Sequence, residues 1–350
     1  MKKILFPLVA ALFLTVSISS QALAKDEFLL YSSRFGGVQY ICASVLADLM
    51  NAKSPDLLVT NMETSGPNEN IRKDEKDPKL LASTLRFALS INYFCAKNGQ
   101  APFERAYPEY KVVFSYGSSV GGSFIVSDPK IATVSDLVGK KVGVGERGTA
   151  FVNETQYMLR DCFGIWDNVK KEYLSYSAAQ DAFMDDMVDA IYAPGNLTSD
   201  GAGGAKYNSH PALQSLVALK KGLMILPVTP EDFDRGSEAN NWPMFSKFVI
   251  PPNAVTTDLP TEPRLGYLLQ YITLAHESVP DDVIYEIVKV CAENPEKFRE
   301  AHASLGIMSP EVMAWLPVKS EDEIHPGALR YYKEKGIPLL LNGENPDFIK

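Results

Sequence analysis

One unit recurs along this chain and constrains its fold more than any other feature: a short apolar run, a loop rich in Gly and Ser, then apolar residues at helical spacing. Phe28 to Tyr31 is followed by Ser32-Ser33-Arg34-Phe35-Gly36-Gly37 and then by Val38, Ile41, Val45, Leu46 and Leu49, the three-and-four spacing of one helix face. Leu57 to Met62 reads as a second strand, Glu63 to Asn70 as a turn-rich loop, and Phe87 to Ile91 as a third apolar run leading into Asn92-Tyr93. Alternating strands and helices predict an α/β fold with parallel sheets.

Further along, Lys111 to Phe114 reads as a strand, Gly117-Ser118-Ser119-Val120-Gly121-Gly122 as a crossover between lobes, and Ser123 to Val126 as the strand after it. A new α/β pattern then begins. It comprises a capped turn at Thr133 to Leu137, a strand at Lys141 to Val144, and helices from near Thr149 and over Ala178 to Met187. A strand at Ala190 to Ala193, a Gly-rich loop from Gly195 to Gly204 and a strand at Leu223 to Val228 follow. Leu268 to Leu274 is another β-type run, and Asp281 to Ala292 and Pro295 to Leu305 read as helices. The expected division is a leader over 1–24, a first lobe over 25–117 and 258–350, and a second lobe over 118–257.

Lys2 and Lys3, an apolar stretch from Ile4 to Ser19 and Ala22-Leu23-Ala24 form the pattern of a secretory signal peptide cut after Ala24. The stretch is shorter than the roughly 20 residues a membrane span needs and is interrupted by Pro7. The mature chain is therefore expected in the periplasm. Cleavage removes two lysines and no acids, which moves the formal charge from −9 to −11 and disfavours nucleic acid as a partner. Removing 24 of 350 residues leaves about 325, enough for two domains. Cys42, Cys95, Cys162 and Cys291 show no metal-ligand or C-x-x-C spacing. They are either disulfide partners or small buried hydrophobes.

In open α/β sheets, ligands lie outside the carboxyl ends of the strands, where the backbone N–H groups of helix N-termini are unsatisfied. Two lobes presenting Ser/Gly/Asn loops to one another make a capture site for a small molecule. Gly143-Val144-Gly145-Glu146-Arg147-Gly148 matches the dinucleotide fingerprint, but it sits mid-chain and Glu146 would place a carboxylate beside the pyrophosphate. Arg34 and Arg147 are candidates to fork onto a carboxylate, or else solvated loop arginines. Ser33, Gly37, Gln39, Ser65, Asn68, Asn92, Asn196 and Thr149 are candidate polar contacts, and Tyr40 and Tyr93 candidate stacking partners. Turn and cap formation is the competing role for the Ser and Asn residues. The four histidines are scattered and form no Ser/His/Asp set or H-E-x-x-H helix. No catalytic set, cofactor or metal is expected.

Four stretches carry a resemblance. They are Gly36-Gly37-Val38-Gln39-Tyr40; Thr64-Ser65-Gly66-Pro67-Asn68-Glu69-Asn70-Ile71-Arg72; Val134 to Gly145 running into Gly148-Thr149; and the tail His325-Pro326-Gly327-Ala328-Leu329-Arg330-Tyr331-Tyr332-Lys333-Glu334-Lys335-Gly336. Their order resembles the TAXI-type solute-binding subunit of tripartite ATP-independent periplasmic (TRAP) transporters, over essentially the whole mature chain. The resemblance implies a type 2 periplasmic-binding fold whose two lobes close on a ligand in the cleft between them. It also implies delivery by a monomer to TRAP membrane subunits, sodium-driven import, and a carboxylate solute of the glutamate or 2-oxoglutarate class. Arg147-Gly148-Thr149 stands where the family often has Ser-Gly-Thr, which leaves the solute open. A binding protein of an ATP-driven importer, a chemosensory receptor and an enzyme on the same fold are the alternatives.

Overall fold

The computed structural model describes residues 26–54, 57–220, 222–240, 246–256, 258–341 and 344–349, and the leader with its cleavage site lies outside the described residues. The chain begins β1 (Asp26–Tyr31), α1 (Val38–Lys53), β2 (Leu57–Met62), α2 (Pro67–Arg72), α3 (Pro78–Leu81), β3 (Thr84–Leu89), α4 (Ser90–Lys97) and β4 (Tyr110–Gly121). It continues through β5 (Phe124–Val126), β6 (Lys141–Gly143), α5 (Ala150–Gln156), β7 (Lys170–Glu172), α6 (Tyr176–Met184) and β8 (Ala190–Tyr192). Then come β9 (Gly195–Ser199), β10 (Ala205–Ser209), α7 (Pro211–Leu219), β11 (Met224–Ile225), α8 (Pro230–Asn240), β12 (Ser246–Ile250) and β13 (Arg264–His276). Helices α9 (Asp281–Ala292), α10 (Pro295–Ala301), α11 (Pro310–Met313) and α12 (Pro326–Lys335) complete the described elements.

These strands make two sheets, so the chain has the mixed α/β, two-lobed architecture expected of it. The first has eight strands in the order β10-β9-β4-β13-β3-β1-β2, with β12 also on β13; the second has five, β11-β5-β8-β6-β7. Strands β1, β2 and β3 pair in parallel, as the repeated strand-loop-helix unit requires. The stripe Cys42, Ala43, Leu46, Ala47, Met50 of α1 is buried, and all six residues of β3 are buried on both faces. Among the described residues, no helix is long and apolar enough to cross a membrane.

The chain passes between the sheets at Gly122-Ser123, after β4, and at Ala193-Pro194, after β8. It crosses again between β10 and β11 and returns between β11 and β12. The segment 118–257 therefore supplies β9, β10 and β12 to the first sheet as well as strands to the second. The long strand β13 pairs with β12 at its start and with β4 along its length, the latter ladder shifting register at Tyr271 and Ile272. The predicted loop from Gly195 to Gly204 is in fact strand β9 and a tight turn. The Asp200 carboxylate accepts from the Ala202 and Gly204 amides at 2.7 and 2.8 Å and closes that hairpin. The third apolar run stops at Leu89, because the Asn92 side chain accepts from the Leu89 amide at 3.2 Å and starts a helix in place of two more strand residues.

Candidate functional site

The carboxyl ends of β1 and β3 are tied together by a single side chain. Asn70, fully buried on α2, reaches the carbonyls of Tyr31, Ser32 and Phe87 at 3.0, 2.6 and 2.8 Å and accepts from the Thr64 hydroxyl at 2.6 Å. The carboxyl end of α2 is held from below by Arg86 of β3, which is 0 % exposed. Its guanidinium donates to the carbonyls of Asn70 and Lys73 at 2.9 and 3.2 Å and to the Thr84 hydroxyl. It lies over the rings of Tyr31 and Tyr110, 5.5 and 5.0 Å from their centroids. A buried cation needs such compensation, and burial pushes its pKa down.

Held in this way, α2 presents Asn68 to the second lobe. The Asn68 amide donates to the Asn153 side chain of α5 at 2.9 Å, and Asn92 of α4 donates to Asn68 at 2.9 Å. All three asparagines are buried. The structure thus brings together two predicted site residues, Asn68 and Asn92, with a third that sequence reasoning missed. Asn153 falls in the sequon Asn153-Glu154-Thr155, and nothing in its spacing distinguishes a lobe contact from a chance match.

The remaining candidates are placed as follows. Arg34 donates to Glu146 at 2.8 Å across the lobes, and the Arg147 guanidinium lies 3.6 Å from the centroid of Tyr173. Thr149 does not cap α5; its hydroxyl donates to the Glu146 carbonyl at 2.7 Å. Ser33 reaches the Arg34 carbonyl at 3.4 Å and sits where a side chain on Gly37 would collide with it, at 2.7 Å. Tyr40 packs edge-on against the exposed ring of Phe35, at 5.2 Å. Ser65 donates to Glu69 at 2.5 Å, a turn-forming role. Tyr93 donates to Glu323 at 3.0 Å inside the first lobe, and Asn196 accepts from Tyr271.

Several buried polar atoms have no hydrogen bond, a condition that costs about 1–3 kcal/mol each. Gln39 Nε2 on the first turn of α1 and Ser90 Oγ at the start of α4 are two of them. They stand just past the carboxyl ends of β1 and β3. Tyr116 Oη lies near Gln39, and its ring stacks on Tyr271 at 5.6 Å. In the second lobe, Glu154 is fully buried. Its Oε2 accepts from Tyr192 at 2.6 Å, while Oε1 has no partner. Burial pushes this carboxyl up to about 8. One signal could have found it: Ala150, Tyr157 and Met158, at spacings of four, three and four from Glu154, are all apolar, so the acid lies on the core face of its helix.

Comparison with known families adds one assignment. The model of the NMT1-like family matches residues 32–336. The chain belongs to that family. Among solved structures, this NMT1-like protein is similar to the periplasmic binding protein BugD, at 13 % identity and a TM-score of 0.47, covering 90 % of this chain and 99 % of that one. It is similar to MatC of Rhodopseudomonas palustris, solved with bound malate, at 12 % identity and a TM-score of 0.46, covering 89 % and 96 %. It is also similar to the periplasmic aliphatic sulphonate binding protein SsuA of Escherichia coli, at 14 % and 0.43, covering 91 % and 96 %.

Proposed function

We propose that this NMT1-like protein is an exported solute-binding subunit that captures a small carboxylate-bearing solute between its lobes and passes it, unchanged, to a membrane transporter. The observation that carries this reading is the buried contact of Asn68 and Asn92 with Asn153, which joins helices of both lobes. Buried amides are satisfied here by one another, so a polar solute entering between the lobes can exchange those bonds for its own without a net loss of partners. Gln39 Nε2 on the first turn of α1 and Ser90 Oγ at the start of α4, buried without hydrogen bonds, are further groups that a solute would satisfy.

The carboxylate reading rests on Arg34 and Arg147. Arg34 pairs with Glu146, and Arg147 is the next residue along the chain, its guanidinium over Tyr173. The Arg34 side chain is 64 % exposed in its ion pair, and such a pair is worth about 0–1 kcal/mol. Because that pair is weak, a solute carboxylate that forks onto the guanidinium can displace Glu146. The tail from His325 to Gly336, by its resemblance to TAXI-type subunits, supports a TRAP transporter as the membrane partner.

A thermal-shift panel of dicarboxylates, acidic amino acids, sulfonates and sugars tests the reading. A true solute at a hundred times its Kd stabilises the protein by about 2.7 kcal/mol. Stabilisation by carboxylates alone, with the compound recovered intact by mass spectrometry, is the expected result. Stabilisation by a sugar and by no anion would overturn the arginine argument, and conversion of the compound would overturn the carrier role.

A further inference from the structure

We propose that Glu154 is a proton-dependent lock of the hinge: its neutral carboxyl holds α5 against the strands through which the lobes are joined, and its ionisation releases them. The geometry is that of a joint. Glu154 Oε2 accepts from the Tyr192 hydroxyl, which in turn meets the Tyr267 hydroxyl. Tyr192 is the last residue of β8, directly before one passage between the sheets. Tyr267 pairs with Gly121, the last residue of β4, directly before another. A side chain on Gly121 would come within 2.2 Å of the Tyr267 ring and 2.3 Å of the Tyr192 hydroxyl. Only a glycine admits the two phenols there, and these two of the four passages, both tyrosines and the carboxyl form one contiguous cluster.

The charge balance explains why this cluster responds to protons. The groups that face the carboxyl are Tyr192 of β8 and Tyr267 of β13, with Tyr271 of β13 close enough to sense its charge. Beyond Tyr267 lie Tyr157 and Cys162, on the helical continuation of α5. On α8, Phe233 packs on Tyr267 at 5.5 Å, while Arg235 is spent on Asp232 and on the Cys162 carbonyl. Asp161 pairs with Arg160. On the side of α4, neutral Asn92 and Cys95 meet Asn153. No cation among these compensates a carboxylate at Glu154, and Oε1 has no donor. The neutral acid fits the closed joint; the anion requires water, which enters only if the joint loosens.

The direction follows from linkage. A carboxyl that holds its proton up to about 8 when closed, and behaves ordinarily when wet, binds more protons closed than open. Closure is then fully favoured at acid pH and weakens up to tenfold per pH unit as the pH rises toward about 8. Above that value no further change is expected.

Small-angle X-ray scattering of the mature chain between pH 5 and pH 9 tests this with protons as the only ligand, so its outcome is independent of the capture reading. The expected result is a radius of gyration that grows with pH in the wild type and stays at its acid value in Glu154→Gln. Tyr192→Phe removes the hydrogen bond through which the carboxyl holds the joint, so its expansion moves to lower pH. This variant also decides the matter should Glu154→Gln fail to fold. A wild-type radius that is the same at pH 5 and pH 9, expansion of Glu154→Gln in parallel with the wild type, or a Tyr192→Phe transition that does not move downward would each overturn the proposal.

Discussion

Replacing Arg86 by Met tests whether the site is held from inside the first lobe. The substitution keeps an unbranched apolar stem and removes the guanidinium. The carbonyls of Asn70 and Lys73 and the Thr84 hydroxyl lose their donor. The Thr84 hydroxyl keeps its bond to the Leu80 carbonyl; the two carbonyls cost about 1–3 kcal/mol each, or roughly 2–6 kcal/mol together, and the stacking on Tyr31 and Tyr110 adds about 1 kcal/mol to the loss. Against this stands the relief of no longer burying a cation, which amounts to a few kcal/mol. The carbonyls and the stacking win because the Asn70 carbonyl is buried and fixed on the backbone. The net destabilisation is about 2 kcal/mol, with the same sign in urea and thermal denaturation followed by circular dichroism. Because Arg86 holds the end of α2, Arg86→Met should also weaken solute capture. A loss below about 1 kcal/mol would refute the reasoning, since it would mean that the carbonyls find other donors and that the guanidinium is not what seats α2.

Burial holds the folded-state Glu154 carboxyl at about 8, above the ordinary 4.5. Between those values the folded protein keeps a proton that the unfolded chain has lost, so stability is greatest at the acid end of the window and falls as pH rises through it. The slope from this group is at most about 1.4 kcal/mol per pH unit, and Glu154→Gln should flatten the dependence of Tm on pH between 5 and 8. Arg34→Ala and Glu146→Ala should each cost less than about 1 kcal/mol, with a double-mutant coupling of the same small size that vanishes in high salt. Tyr93→Phe should lower stability by about 1 kcal/mol through loss of its bond to Glu323 while leaving solute affinity unchanged in calorimetry. The four cysteines are buried free thiols, so a reducing agent should leave Tm where it was.

The strands and their loops were legible in the sequence because local patterns encode them. The helical stripe of α1, the short capped turn at Thr133 to Leu137 and the tail helix bounded by His325 and Gly336 each announce themselves within a dozen residues. The return of β9, β10 and β12 to the first sheet was not legible, because strand partners far apart in sequence leave no local mark. The same holds for the site. Asn68 and Asn92 could be read as polar residues at strand ends, but their partner Asn153 lies in another lobe and looks like any helix-surface amide. Arg86 looks like a charge within a strand and is instead a buried brace. Arg34 and Arg147 were readable as cations at loop positions; that Glu146 and the Tyr173 ring engage them depends on how the lobes meet.

Isothermal titration calorimetry is the most direct test of capture between the lobes, using the compound of largest thermal shift against the wild type and against Asn68→Leu and Asn153→Leu. The account predicts one solute per chain and a loss of at least about tenfold in affinity, about 1.4 kcal/mol, in both variants, although one asparagine lies in each lobe. Unchanged affinity in both would place the solute elsewhere and contradict the account.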